Sequence, residues 1–305
     1  MKNPRLSLII GIVSISIFPI LVKWVPVSGM TSAFYRMAIA TAVIIPVVLW
    51  KKSLQKPSLK VMGVIALCGL LFGSDIAVWN IAIQQSSAIQ ASLLTNLAPV
   101  WVGLGTFFFL PNKPNSNFWI GMVFALSGMV ILMGVDVFIN LSFDLGFLFG
   151  ILSSIFYASY LLISKTVLDK INTISFMTYS MLVSTVYLGI ACFFMDEPFS
   201  GFTTPVWGIL IAQGLICQLL GWFSLNYAVQ KLGANKVSLS LLSQALVTAI
   251  LAWFLLNEEI TMQMLLGGAI ILIGIGITFQ KKTLFPKRTP ALKPDMSKLP
   301  NFNKE

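Results

Sequence analysis

The sequence predicts an all-α membrane protein, with ten transmembrane helices folded as two inverted five-helix repeats. Three observations carry this reading. The chain of 305 residues is 57% hydrophobic and only 10% charged, with a mean hydropathy of +0.90. Soluble domains average about 25% charged residues, and a soluble chain of this size could not hide so much apolar surface. The apolar residues fall into ten runs long enough to cross a bilayer. The second half of the chain repeats the polar pattern of the first.

The runs lie at 6–24, 30–50, 61–83, 87–110, 117–135, 143–163, 173–195, 205–229, 234–256 and 262–280. A hydrocarbon core of about 30 Å needs about 20 helical residues per crossing. The first run follows Lys2 and Arg5 in the manner of a signal peptide, but it is too long, contains Pro19 and has no A-x-A site after it. It therefore reads as a retained helix. Breaker residues punctuate the connections, as in VPVSG at 25–29, LPNKPNSN at 110–117 and DEPFSG at 196–201. In the fifth run Gly121 and Gly128 share a face, and Gly267 and Gly274 repeat this spacing in the tenth. Small residues on one face let membrane helices approach closely. Residues 281–305 are basic and Pro-containing and read as a disordered cytoplasmic tail.

Charge sets the orientation. With both termini in the cytoplasm, eighteen of the twenty Lys and Arg fall on cytoplasmic segments, and the remaining two, Lys23 and Arg36, lie within spans. The opposite loops carry Asp136, Asp144, Asp196, Glu197, Glu258 and Glu259 and no Lys or Arg. This is the positive-inside pattern. It accounts for the net charge of +10 through anionic headgroups rather than nucleic acid. The expected setting is the cell inner membrane. No histidine is present, which excludes imidazole chemistry and ordinary zinc sites. No metal and no cofactor is expected. Cys68, Cys192 and Cys217 sit in apolar runs without C-x-x-C pairing and read as buried free thiols.

A shift of 146 lays the third to fifth runs on the eighth to tenth without a gap. Asn80 meets Asn226, Gln84 meets Gln230, Ser92 meets Ser238, Gly121 meets Gly267 and Gly128 meets Gly274. A shift of 139 lays the first run on the sixth, with Gly11 on Gly150 and Ser14 on Ser153. Five spans is an odd number, so the second copy (143–280) enters from the opposite side to the first (6–135). Inverted repeats of this kind place a solute site near the midplane, between the copies.

These features resemble the drug/metabolite transporter superfamily, and in particular the EamA family, over residues 6–280. SAFYRMAIA at 32–40 is similar to the family's Arg-bearing second helix. SSAIQASLLTNLAPVWVGL at 86–104 is similar to its fourth helix, and LLNEEIT at 255–261 to the acidic turn before its last helix. DIAVWNIAI at 75–83 looks like a variant of the family's third helix. The chain departs from the pattern at Asn112, where a Glu turn is expected, and at Gln244-Ala245, where many members carry an acid and a Pro. The second departure puts the expected break in the ninth helix in doubt. The resemblance implies a small-solute permease, with amino acids or related metabolites and export as the family tendency.

The candidate site residues are the polar ones inside the spans. Ser92, Thr95, Asn96 and Pro99 form one stripe at i, i+3, i+4, i+7. Pro99 frees a carbonyl near Thr95, which is tolerated at this depth only beside protein or water. Tyr157 and Tyr160 share a face with Ser153, Gln218 shares one with Trp222, and Gln244 joins Ser240 and Ser243. Trp79 and Asn80 follow Asp75 by about one turn. Together these positions outline a central cavity. Arg36 and Asp75 lie at comparable depths on consecutive spans, and a charge there costs several kcal/mol unless neutralised. Three readings stay open: a structural ion pair, a substrate-binding charge such as Arg36 for a carboxylate, and a proton-coupling acid at Asp75. Lys23 is expected to snorkel. No G-x-x-x-x-G-K-[ST] motif is present, so the expected function is a secondary transporter rather than an ATP-driven pump. Without histidine and with one acid in the spans, a membrane enzyme is disfavoured. A channel or a non-transporting scaffold remains the alternative. The partners are a small solute and the lipid bilayer, with a homodimer left open.

Overall fold

The computed structural model describes residues 3–24, 27–85, 88–134, 139 and 143–280. The tail read from residue 281 onward lies outside the described residues. Among those described, nine helices are long and apolar enough to cross a membrane: Pro4–Lys23, Gly29–Trp50, Leu59–Gln85, Gln90–Phe109, Ser116–Met133, Leu145–Leu168, Thr173–Phe194, Thr204–Leu232 and Ala234–Leu256. Met262–Thr278 is a shorter apolar helix that completes the set of ten. They are called the first to tenth spans below.

Short polar residues start these helices. Asn3, Ser28, Asn115, Asp144, Asn172 and Thr261 each accept a hydrogen bond from a backbone N–H of the first turn. Each cap satisfies a donor that the helix leaves open. Three spans end on a residue with positive φ: Gly134 at 102°, Gly233 at 88° and Asn257 at 53°. Such residues turn the chain where a helix must stop.

The packing follows the repeat. The third and sixth spans pack closely, and so do the first and eighth, their counterparts under the repeat. The fourth packs on the sixth as the ninth packs on the first. The third packs on the seventh as the eighth packs on the second. Each half therefore reaches across to build a bundle with one span of the other. One group holds the third, fourth and sixth spans, and the other holds the first, eighth and ninth.

The fifth and tenth spans make the most extensive contact in the molecule, and its cause is the absence of side chains. A Cβ added at Gly128 would sit 2.6 Å from the carbonyl oxygen of Gly267 and 2.7 Å from the backbone nitrogen of Ile271. One added at Gly274 would sit 2.4 Å from the carbonyl oxygen of Gly121. Lipid supplies no hydrophobic drive between helices, so this backbone approach is what holds the pair. Gly128→Ala forces backbone against backbone and should lower stability by roughly 1–3 kcal/mol. Gly276→Ala, with nothing within 4 Å of its added carbon, should leave it unchanged or slightly raised. Thermal unfolding of the purified protein in detergent measures both.

Candidate functional site

The spans that form the centre are locally irregular. The fourth is broken between Thr95 and Ala98. Pro99 supplies no N–H there, and the Asn96 side-chain amide donates to the Ser92 carbonyl at 2.9 Å. The ninth is broken at Leu242, between helices Ala234–Leu241 and Ser243–Leu256. Residue 242 is the repeat counterpart of 96. The doubt raised by the missing acid and proline is thus removed: the break forms without them. Serine hydroxyls bond the backbone beside the break, Ser243 donating to Ser240 O and Ser240 to Lys236 O, both at 2.7 Å. The first span is broken at Ile17, just before Pro19. It is tied to the ninth by Thr248 donating to Ser16 O at 2.9 Å, while the Ser16 hydroxyl turns back to Ile12 O at 2.7 Å.

The eighth span departs from expectation. Its middle, Gln213–Gly221, winds as a π-helix between two α-helical ends. Gln218 and Trp222 therefore do not share one regular helical face. The winding also brings in Gln213, which the sequence reading missed. Such wide turns are concentrated at functional sites.

Two polar clusters meet at the centre. In the first, Ser153 donates to Asp75 Oδ1 at 2.6 Å. Thr95 Oγ1 lies 3.2 Å from Ser153 Oγ. Ser153 has one hydroxyl hydrogen, already given to the carboxylate, so Thr95 is the donor to Ser153. This chain of three side chains joins the fourth, sixth and third spans. Beside it, Tyr160 donates to Asn226 Oδ1 at 3.0 Å. Phe72 stacks between Trp222 at 4.4 Å and Tyr160 at 4.9 Å, while Tyr157 reaches Trp222 at 6.0 Å.

The second cluster surrounds Arg36. Its guanidinium lies over the Phe18 ring at 4.4 Å. Arg36 and Asp75 are both buried, but no ion pair within 4.0 Å joins them; the described residues form two such pairs, Lys23–Glu258 and Lys165–Asp169. The direct structural pair is not formed. Lys23, expected to snorkel, is exposed at the end of its span and bonds Glu258 across the two halves. Gln213 accepts from Ser32 through Oε1 at 2.7 Å.

Other expected positions are placed differently. Asn80 donates to Ile76 O at 2.8 Å, and its Oδ1 fills the space a Cβ of Gly29 would occupy. It packs against the second span's start, outside the central clusters. Trp79 and Gln244 are half-buried, and neither contributes a side-chain hydrogen bond or ring to these clusters. Ser92 enters through its carbonyl alone. Phe72 and Phe18 were missed because an aromatic in an apolar run carries no polar signal.

The family model for the EamA-like transporter family matches residues 5–134 and again 144–280. The chain belongs to this family. Its two matches fall on the two five-span halves. Among curated relatives, an uncharacterized transporter of Bacillus subtilis, YyaM, is 23% identical over 70% of this chain and 72% of its own length. An uncharacterized transporter of Archaeoglobus fulgidus is 26% identical over 82% of this chain and 87% of its own. The uncharacterized inner membrane transporter YhbE of Escherichia coli is 26% identical over half of each chain. A solved crystal structure superposes with a TM-score of 0.76 at 16% identity, covering 90% of this chain and 96% of that one. That likeness concerns the fold. This EamA-like protein is therefore a multi-pass membrane protein of a transporter family.

Ser153 gives Asp75 the one hydrogen bond it receives from a described residue. Ser153→Ala should cost about 1.5–3 kcal/mol, the range for hydrogen bonds to charged groups. In an Asp75→Leu background the same change should cost little. A double-mutant cycle on thermal unfolding measures the coupling.

Proposed function

We propose that the chain is a secondary transporter that carries a small organic solute, an amino acid or related metabolite, across the inner membrane by alternating access, in the direction of export. The observation that carries this reading is the Thr95–Ser153–Asp75 chain with its neighbour Tyr160–Asn226. Both lie deep in the spans, and the first joins the two halves, with Thr95 and Asp75 from one and Ser153 from the other. Asp75 is ten residues from the end of its helix, Gln85, or about 15 Å at 1.5 Å per residue. Polar groups at that depth are costly and mark solute pathways.

The bundle architecture supplies the movement. The group of third, fourth and sixth spans faces the group of first, eighth and ninth across the aromatic and polar centre. Rocking one group against the other exposes the centre to one side and then the other. At one face Glu197 accepts from Ser28 at 2.5 Å and from Thr31 at 3.2 Å, and Lys23 meets Glu258. At the other, Asn172 N–H donates to Gln55 Oε1 at 2.8 Å. Glu197 and its partners join the seventh and second spans, which pack on different groups, so such a cycle breaks and remakes these bonds, while Lys23–Glu258 lies within one group and persists. The lysine-bearing face is assigned to the cytoplasm, with both termini on it.

Purified protein in liposomes should take up labelled solute with saturation, and excess unlabelled solute on the far side should speed that uptake. A comparison of metabolites in cells with and without the chain selects the solutes to label. Current steps without saturation would point to a channel, and no movement of any selected solute would defeat the proposal.

A further inference from the structure

Buried polar atoms nearly always have a partner, so the exceptions are informative. Among the described residues four buried side-chain atoms have none, and three of them are Arg36 Nε, Gln213 Nε2 and Gln218 Oε1. Arg36 is 8% exposed, Gln213 0% and Gln218 1%. Arg36 is on the second span and both glutamines are on the π-helical part of the eighth, which packs on the second, with Gln218 one i+5 turn after Gln213. Gly214 brings the backbones together there: a Cβ on it would lie 3.3 Å from the Arg36 carbonyl and 2.8 Å from Ile39. Ser32, one turn before Arg36, anchors Gln213 through its other amide atom. This leaves Nε2 as a fixed donor beside the arginine.

The charge is as unusual as the hydrogen bonding. Arg36 forms no ion pair within 4.0 Å and no hydrogen bond with a described residue. Its contact is with the face of Phe18, which attracts the cation without neutralising it. A ring over one face leaves the edge of the guanidinium as the approach for an acceptor. That edge suits a planar anion with two oxygens. Gln213 Nε2 adds a neutral donor, and Gln218 Oε1 an acceptor for a hydroxyl or amine on the same molecule. One unneutralised cation matches a monoanion. A dianion such as phosphate would bring an extra buried charge with nothing to meet it.

We infer that Arg36, Gln213 and Gln218 form a carboxylate subsite, shaped by the π-helical winding of the eighth span, and that the solute is a small carboxylic acid with a neighbouring hydrogen-bond donor. This rests on the reading of the centre as a solute site and adds the group by which the solute is recognised. Asp75 lies within electrostatic range of Arg36 and belongs to the separate Ser153 cluster.

Thermal unfolding of the detergent-purified protein tests the subsite without transport. The probes are small hydroxy and amino monocarboxylates, each paired with its primary amide, with sodium chloride as the ionic control. Carboxylates should stabilise the wild type, and the amides and chloride should not. Gln213→Leu should weaken the apparent affinity about tenfold or more, as for one lost bond to a charged group. Gln213→Glu places a carboxylate beside Arg36, so it should abolish the response while keeping or raising stability without ligand. The inference is overturned if no carboxylate stabilises the wild type, if amides or chloride act as strongly, or if Gln213→Glu still responds. It is overturned too if Arg36→Gln with Asp75→Asn restores the wild-type response, since Arg36 would then serve only to offset Asp75. Carboxylate binding without transport in liposomes would defeat the transport reading and leave the subsite standing. Transport confined to solutes lacking a carboxylate would do the reverse.

Discussion

Inside a bilayer there is no water to satisfy a polar group, and the structure follows from that constraint. It makes the chain helical throughout its spans. It also dictates what happens wherever a helix is interrupted. At the break in the fourth span Asn96 returns its amide to Ser92, and at the break in the ninth Ser240 and Ser243 return hydroxyls to the backbone. Asn80 and Asn226, equivalent in the repeat, each donate to the carbonyl four residues earlier. Side chains that would hydrogen-bond water in a soluble protein here repair their own helix.

Much of the fold was legible because this constraint writes itself into sequence. Span length, capping residues and the glycine faces of the fifth and tenth spans all have local signatures. The break in the ninth span was less legible, since the expected signal was a proline and the chain uses serines. The π-helical stretch QGLICQLLG was not legible at all. Its residues suit an α-helix, and the wider winding reflects packing against the first and second spans rather than local preference. Gln213 was missed for that reason. Asp75 and Ser153 were found because polar residues stand out in apolar runs. The direct Arg36–Asp75 pair that equal depths suggested is absent, because depth does not fix the direction in which a side chain points. The seat of Arg36 on Phe18 depends on the break at Ile17, which redirects the Phe18–Lys23 part of the first span.

The frame is symmetric while the centre is not. The repeat counterpart of Gln213–Gly221 is the stretch 67–75, which ends on Asp75 inside the ordinary α-helix Leu59–Gln85. The first span is broken where the sixth runs unbroken from Leu145 to Leu168. The first half therefore supplies the acid, the cation and the broken first span, and the second supplies the π-helical backbone that packs beside the cation. A duplicated scaffold has taken on two different polar surfaces, as a site for an asymmetric molecule requires.

The glycine seam between the fifth and tenth spans also restricts motion. Each gap left by a missing side chain holds a carbonyl of the opposite helix, like a tooth in a rack. Sliding by one residue would drive a larger side chain into the gap. Rolling about the line of contact keeps every tooth engaged. The seam thus permits turning and resists sliding, so in the proposed alternating-access cycle it serves as an axle and the stroke is an angle rather than a distance.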